Sequence, residues 1–300
     1  MKADASLPPL DFVSPLANGQ EKIPQCIAHR GYKALYPENT LAAFRGAVEV
    51  GAHGLETDVH LTRDNVVVLS HDATLKRCFG KNNKIIEHTW EEVHRLTDGQ
   101  MPRLLDLLHY LIDVNVWLLL DIKLDNDAKD IMRCLASTIA STGHTFNQRI
   151  VLGVWAAKFL PLAQKYLPGF PVMNIAFSTA YARHFLSIPN VGFNVLLPTL
   201  IAPGGAKFMR DVRNRKVIAW TVNSDQRMDW CIRKSLDGVI TDDPARFLAV
   251  CRKYDGSKPP QSLTIRDYID IYRLWIWITV ALIFFRKRFL PVASPQLMEQ

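Results

Sequence analysis

The sequence predicts an α/β protein built on a TIM-type (β/α)8 barrel, on three observations. Short apolar runs recur along the chain: "QCIAHRG", "GLETDVHLT", "VVVLSHD", "VWLLLDIK", "RIVLGVW", "PVMNIAFS", "VGFNVLLP", "KVIAWTVN" and "GVITDD". Most are continuous rather than alternating, as expected of strands covered on both faces. Between many of them lie segments of helical length and period, such as "TLAAFRGAVEVGA", "AKDIMRCLASTIAS" and "SDQRMDWCIRKS". Repeated strand–helix alternation gives a parallel sheet, and about eight strands close it into a barrel. An open doubly wound sheet is the rival, disfavoured because no GxGxxG follows the first strand.

The elements follow in order. Residues 1–22, including "MKADASLPPLDFVSPLANGQ", are expected to be a flexible, proline-rich lead-in without the apolar core of a secretory signal. The barrel is placed at 23–252. One connection within it, Ala73 to about Asn115, is too long for a simple crossover and carries its own helical pattern "TWEEVHRLT". It reads as a small insertion after the second strand region, on the barrel's mouth. Residues 253–268, with "KYDGSKPPQSLT", form a linker.

Residues 269–290 read as a C-terminal hydrophobic membrane-associating tail. Its centre, "LWIWITVALIFF" from Leu274 to Phe285, is followed at once by "RKR". A helix of that length spans roughly 18 Å, short of the ~30 Å hydrocarbon core. Shallow insertion fits it, whereas spanning needs snorkelling or local thinning. Two tryptophans and the basic flank favour membrane attachment over a helix packed on the domain.

The chain has 36 Lys and Arg against 29 Asp and Glu, a net charge of +7 that favours anionic partners. No basic run interleaved with aromatics appears in the globular part, so nucleic acid is not an expected partner. Five scattered cysteines without a CxxC pair point to a reducing, intracellular compartment rather than a disulfide framework or zinc site. No obligate protein partner is evident.

In an α/β barrel, functional groups stand at the C-terminal ends of strands. Here the apolar runs close on His29 and Arg30, on Glu56 and Asp58, on His71 and Asp72, and on Asp121 and Lys123. Side chains alternate with period 2, so Glu56 shares a face with Asp58, and Asp121 with Lys123. If that face is the interior, three carboxylates and a lysine converge, and a divalent cation relieves their mutual repulsion. Oxygen-only ligands select Mg²⁺ or Ca²⁺ over Zn²⁺. Histidine is the natural proton carrier and arginine the natural partner of phosphate, so His29 and His71 supply an acceptor and a donor around a reacting centre. Gly31 lets the chain turn, and "PENT" starts the next helix with Asn39 or Thr40 as its cap. His60 shares the face of Asp58; the remaining histidines fall in helical or loop segments and read as surface or packing residues.

The ordered set "HRG" with "PENT", "ETDVHLTRD", "LSHD", "LDIK", "AWTVN" and "ITDDP" resembles the glycerophosphodiester phosphodiesterase family of TIM barrels, over roughly Ile23 to Arg252. Within it the sequence is most similar to the fungal phosphatidylglycerol-specific phospholipases C, through "YPENT", "TWEEV", the Asp of "LDIK" and the hydrophobic tail. The resemblance implies His29 and His71 as the acid/base pair, Arg30 and Lys123 on the phosphate, and Glu56, Asp58 and Asp121 on the metal, although many members carry Glu where this chain has Asp121. It places Trp220 at the mouth, as a groove-lining or barrel-packing residue, and Asp242 as a structural turn residue. The activity so implied is metal-dependent phosphodiester hydrolysis: phospholipase C cleavage of phosphatidylglycerol to diacylglycerol and glycerol 3-phosphate, through a cyclic glycerophosphate. The alternatives are a glycerophosphodiester phosphodiesterase or lysophospholipase D releasing the head alcohol, and, remotely, an inactive lipid sensor. The implied partners are an anionic glycerophospholipid and a membrane surface, of endoplasmic reticulum, mitochondrion or lipid droplet.

Overall fold

The computed structural model describes residues 7–18 and 21–289. Two short strands, β1 (Leu16–Asn18) and β2 (Glu21–Ile23), pair antiparallel at the start. The barrel then runs through β3 (Gln25–His29), β4 (Gly54–Leu61), β6 (Trp117–Ile122), β7 (Ile150–Val154), β8 (Val172–Ala176), β9 (Gly192–Leu196), β10 (Val217–Trp220) and β11 (Gly238–Thr241), with β5 (Val67–Leu69) beside β4. All eight barrel strands pair in parallel, and β11 joins β3 to close the ring.

The run "VVVLSHD" is therefore not a barrel strand. β5 folds back antiparallel on β4, setting Leu69 opposite Val59, so it brings His71 down onto the mouth from the insertion side.

Alternation along the strands divides the side chains into two cores. Outward residues such as Leu118, Leu120 and Ile122 pack under the surrounding helices. Inward residues Ile27, Trp117, Leu119, Val151, Met173, Ile218 and Ile240 fill the barrel below the mouth, which makes it a packed core rather than a pore.

The lead-in departs from the expectation of a loose segment from Leu7 onward. Leu7, Leu10 and Val13 are buried, and Leu10 and Val13 belong to the interior core, with Phe12 edge-on to Trp117 at 6.0 Å. Gln25 fixes this plug: its Nε2 donates to the Phe12 and Ser14 carbonyls at 2.8 and 2.9 Å, and its Oε1 accepts from Trp117 Nε1 at 2.6 Å. The apolar residues among those prolines close the barrel floor, and burying them outweighs the entropy of fixing the segment. Residues 1–6 of the expected flexible segment lie outside the described residues.

The insertion holds helices Lys76–Phe79 and Trp90–Leu96, the latter started by a Thr89–Glu92 capping box. They enclose a small core of Val68, Leu75, Ile85, Val93 and Met101. The next helix, Leu104–Ile112, sends Leu104, Leu107, Leu108 and Leu111 into the main core. It belongs to the barrel's outer ring, so the insertion ends before Leu104 rather than near Asn115.

After helix Pro244–Lys253 the linker is pinned to helix Asp225–Arg233: Gln261 N donates to Asp229 and Arg233 donates to the Lys258 carbonyl. The C-terminal helix spans Ile265–Phe289, starting before position 269. Thr264 caps it, accepting from Asp267 N, while Asp267 also pairs with Arg227 at 3.0 Å. Ile271 and Ile278 are buried, two turns apart on one stripe. Ile269, Tyr272, Ile276, Trp277, Val280, Ile283 and Phe284 are exposed. Among the described residues no helix is long and apolar enough to cross a membrane, so the spanning form of the tail is not met there. The side chains of Phe285 and of the following "RKR" lie outside the described residues.

Candidate active site

Eight residues singled out in the sequence, His29, Arg30, Glu56, Asp58, His71, Asp121, Lys123 and Trp220, line one cavity of about 120 Å³ at the barrel mouth. Trp155, Ile175, Asn194 and Ile240 complete its wall.

The first loop shapes one side of it. Arg30 and Gly31 both have positive φ, 56° and 81°, and a Cβ on Gly31 would stand 2.6 Å from the Ala43 carbonyl carbon. This tight turn aims the Arg30 N–H at Glu56 Oε2, 3.0 Å away. Of the two cap candidates, Thr40 caps helix Leu41–Glu49 by accepting from Ala43 N. Asn39 instead reaches back into the site, accepting from Thr57 Oγ1 at 2.7 Å and donating to Asp58 Oδ2 at 2.9 Å.

Each candidate proton carrier is backed by a carboxylate. His29 Nδ1 lies 2.6 Å from Asp242 Oδ1, and His71 Nδ1 lies 2.7 Å from Asp72 Oδ1. With Nδ1 engaged in both rings, Nε2 is left to exchange a proton. Burial pushes the His71 imidazole below its ordinary value, against the pull of Asp58, which keeps it neutral and able to accept a proton near pH 7. Asp242 is thus more than a turn residue. Burial raises its carboxyl, but His29 and Lys33 outweigh that and hold it low. Asn223, from the "WTVN" segment, fixes it by donating Nδ2 to Oδ2 at 2.8 Å and accepting from Asp242 N at 3.0 Å.

Glu56, Asp58 and Asp121 are buried, and ligand atoms from the three lie within 4.8 Å of one another. Two cations already face them: Lys123 Nζ is 2.7 Å from both Asp58 and Asp121, and Arg30 Nε is 3.2 Å from Asp58. Burial alone would raise Asp58, yet Lys123 and Arg30 hold its carboxyl far below the usual range. Glu56 lies 4.0 Å from His29 Nε2 and has neither cation in direct side-chain contact, and burial, then Asp58 and Asp121, push it well above that range against the weaker pull of Arg30 and Lys123. One carboxylate therefore remains uncompensated in a low-dielectric site. A divalent cation would balance it and leave a net positive charge for a phosphodiester monoanion. The donor set, three buried carboxylates, fits such an ion. Trp155 Nε1 donates to Asp121 Oδ1 at 2.6 Å, orienting the third carboxylate. Lys123 and Arg30, expected on a phosphate, contact carboxylates here.

Glu38, of "PENT", joins the two sides. It pairs with Arg30 at 2.9 Å and takes both terminal nitrogens of Arg77, at 2.9 and 2.7 Å, while Arg77 Nε donates to Asp72 at 2.6 Å. His60 does not line the cavity; its Nε2 is 3.3 Å from the His71 carbonyl. Trp220 combines both expected roles, since it faces the cavity and packs on the interior core.

Asp72 was named at its run's end without a role, and Asp242 only as a turn residue; Trp155 and Asn194 were not expected in the site. Trp155 also stands at the end of an apolar run, within reach of the rule that found the others. Asn194 is a polar residue inside the run "VGFNVLLP".

Comparison with known proteins gives the family. The model of the glycerophosphoryl diester phosphodiesterase family matches residues 29–246. A glycerophosphodiester phosphodiesterase of Caldanaerobacter subterraneus is 28% identical over 245 residues, covering 76% of this chain and 97% of that protein. Glycerophosphodiester phosphodiesterase 1 of Rattus norvegicus is 44% identical over 78 residues, 26% of this chain and 24% of that protein. Among solved structures, the glycerophosphodiester phosphodiesterase of Thermotoga maritima superposes with a TM-score of 0.64 at 26% identity, covering 76% of this chain and 98% of that one. An Oleispira antarctica phosphodiesterase, solved in complex with its product sn-glycerol 3-phosphate, superposes with a TM-score of 0.68 at 20% identity over 77% of this chain and 98% of that one. The chain belongs to the glycerophosphoryl diester phosphodiesterase family and is a phosphoric diester hydrolase.

Proposed function

We propose that this chain hydrolyses glycerophosphodiesters, releasing the head alcohol and glycerol 3-phosphate. The observation that carries the reading is the pair of carboxylate-backed imidazoles, His29 on Asp242 and His71 on Asp72, facing one cavity with the carboxylate triad. Likeness over 76% of this chain and 97% of a protein named for this activity supports it.

Glu56, Asp58 and Asp121 would hold the cation, Mg²⁺ or Ca²⁺ by their oxygen-only chemistry. When bound, it supplies positive charge opposite the negative charge that grows on the phosphoryl oxygens. Arg30 and Lys123 add theirs and orient the diester. One histidine takes the proton of the glycerol 2-hydroxyl, whose oxygen attacks phosphorus to close a five-membered ring. The other protonates the departing alcohol oxygen as its bond to phosphorus breaks. Water then opens the cyclic glycerophosphate with the two histidines in exchanged roles.

A second reading, phospholipase C cleavage of phosphatidylglycerol, is favoured by the C-terminal helix, whose exposed Ile276, Trp277, Ile283 and Phe284 suit a membrane surface. There the attacking hydroxyl belongs to the headgroup glycerol and the leaving group is diacylglycerol. The same surface supports attachment to an intracellular membrane carrying anionic lipid, which the charge of +7 favours.

Mass spectrometry of products separates the two. Purified protein is incubated with glycerophosphocholine, and separately with phosphatidylglycerol or phosphatidylethanolamine vesicles, with Mg²⁺, Ca²⁺ or chelator. Chelator-sensitive choline release supports the first reading. Diacylglycerol from phosphatidylglycerol but not phosphatidylethanolamine supports the second, because ethanolamine lacks a vicinal hydroxyl. No product from any of them would remove both.

A further inference from the structure

Within the cavity, charge is confined to one side. Glu56 and Asp58 stand on β4, and β9 lies diametrically across the eight-stranded ring. The wall on the β9 side is formed by Trp155, Ile175, Asn194, Trp220 and Ile240. Its indole N–H groups are already committed, Trp155 to Asp121 Oδ1 at 2.6 Å and Trp220 to the Asn194 carbonyl at 3.1 Å. Ile175 and Ile240 offer no polar atom. Asn194 is 3% exposed, and its side-chain Oδ1 is buried without a hydrogen-bond partner.

An unpartnered amide oxygen in a protein interior is unfavourable and uncommon, and one facing a cavity is explained when a ligand supplies the missing donor. The cavity itself is small, about 120 Å³. A phosphate held by Arg30, Lys123 and a cation on the β4 side would point its three-carbon arm at β9.

We propose that Asn194 reads the glycerol arm of the substrate, its amide oxygen accepting a hydrogen bond from the terminal hydroxyl that takes no part in the reaction. The assignment rests on the glycerophosphodiesterase reading and narrows its substrate class to diesters of polyols with a free hydroxyl beyond the attacking one. A site built around such a bond rejects the analogue lacking it, because the buried acceptor is again left unpaired.

The test compares kcat/KM for sn-glycero-3-phosphocholine and its 1-deoxy analogue, which keeps the attacking 2-hydroxyl and lacks only the terminal one. The wild type is expected to prefer the natural diester by about 100-fold. Asn194→Leu and Asn194→Ala are expected to shrink that preference to within about threefold, mainly by losing activity on the natural diester. Melting curves identify which variant is folded. An undiminished preference in a folded variant, or no preference in the wild type, overturns the assignment. Calorimetric titration with glycerol 3-phosphate and propane-1,2-diol 1-phosphate decides the matter without turnover. If the wild type cleaves neither diester, the glycerophosphodiesterase reading fails, while a preference for glycerol 3-phosphate lost in the folded variant still supports the assignment, and equal affinity still overturns it.

Discussion

Asp242 Oδ1 lies 2.6 Å from Nδ1 of His29, joining the last barrel strand's exit to the first. The contact fixes the imidazole's orientation and tautomer. Asp242→Asn keeps the shape and loses the charge. Turnover of whichever diester proves to be the substrate is expected to fall by about 100-fold or more with KM little changed. Steady-state kinetics beside a melting curve checks this; an unchanged kcat in a folded variant would return Asp242 to a turn role.

Arg77 is the strut between the two loops that carry the histidines. It grips Glu38 with two nitrogens and Asp72 with the third, while Glu38 also holds Arg30. Burial works against the Glu38 carboxylate, yet Arg77 and Arg30 keep its pKa low. Arg77→Met is expected to lower kcat about tenfold, with Arg77→Lys restoring only part, since an ammonium cannot reproduce the planar fork. If the strut acts through Glu38, adding Arg77→Met to Glu38→Gln should cost little more. Additive losses in that double-mutant cycle would mean the two act separately.

Much of this was legible in the sequence because barrel strands are short, buried on both faces and period 2. The rule that functional groups stand at strand ends gathered His29, Arg30, Glu56, Asp58, Asp121 and Lys123 around one cavity. What escaped it depended on contacts distant in sequence. Leu10 and Val13 look like loose-segment residues until the barrel floor opens beneath them. Asp242 looks like a turn residue because its partner is 213 positions away. β5 reads as another barrel strand, since an apolar run of three cannot disclose its direction.

Cation binding should depend on pH in a definite sense. Burial, then Asp58 and Asp121, push Glu56 well above the ordinary carboxyl value, so without a cation the folded chain retains a proton that the unfolded chain releases. Stability of the cation-free protein should therefore fall as pH rises from about 4.3 through the raised value. Cation binding must expel that proton, so affinity should rise with pH. Melting temperatures at pH 5 and 7.5, with chelator and with Mg²⁺ or Ca²⁺, measure both effects. A stabilisation by cation that is larger at pH 5, or that survives Glu56→Gln, would contradict this account of the triad.

The C-terminal helix supports the sharpest choice among substrates. Its first turn is tied to the barrel by Asp267, which pairs with Arg227 of helix Asp225–Arg233 at 3.0 Å. One stripe, Ile271 and Ile278, is buried, whereas Trp277, Ile283 and Phe284 are 69%, 70% and 79% exposed. Singly exposed apolar residues are ordinary, but a helix that keeps this many outward has an unsatisfied apolar face. If that face meets lipid, the chain should cosediment with vesicles containing phosphatidylglycerol more than with neutral ones, and salt should weaken the binding. Replacing Trp277 and Ile283 by Glu removes two large apolar side chains and adds repulsion, so partition should fall at least tenfold. Those substitutions lie outside the catalytic cavity. Hydrolysis of a soluble diester should therefore persist, while any hydrolysis of vesicle lipid falls with binding. Equal loss on both substrates would show instead that the helix supports the barrel, and no binding by the wild type would leave the soluble diester as the substrate to pursue.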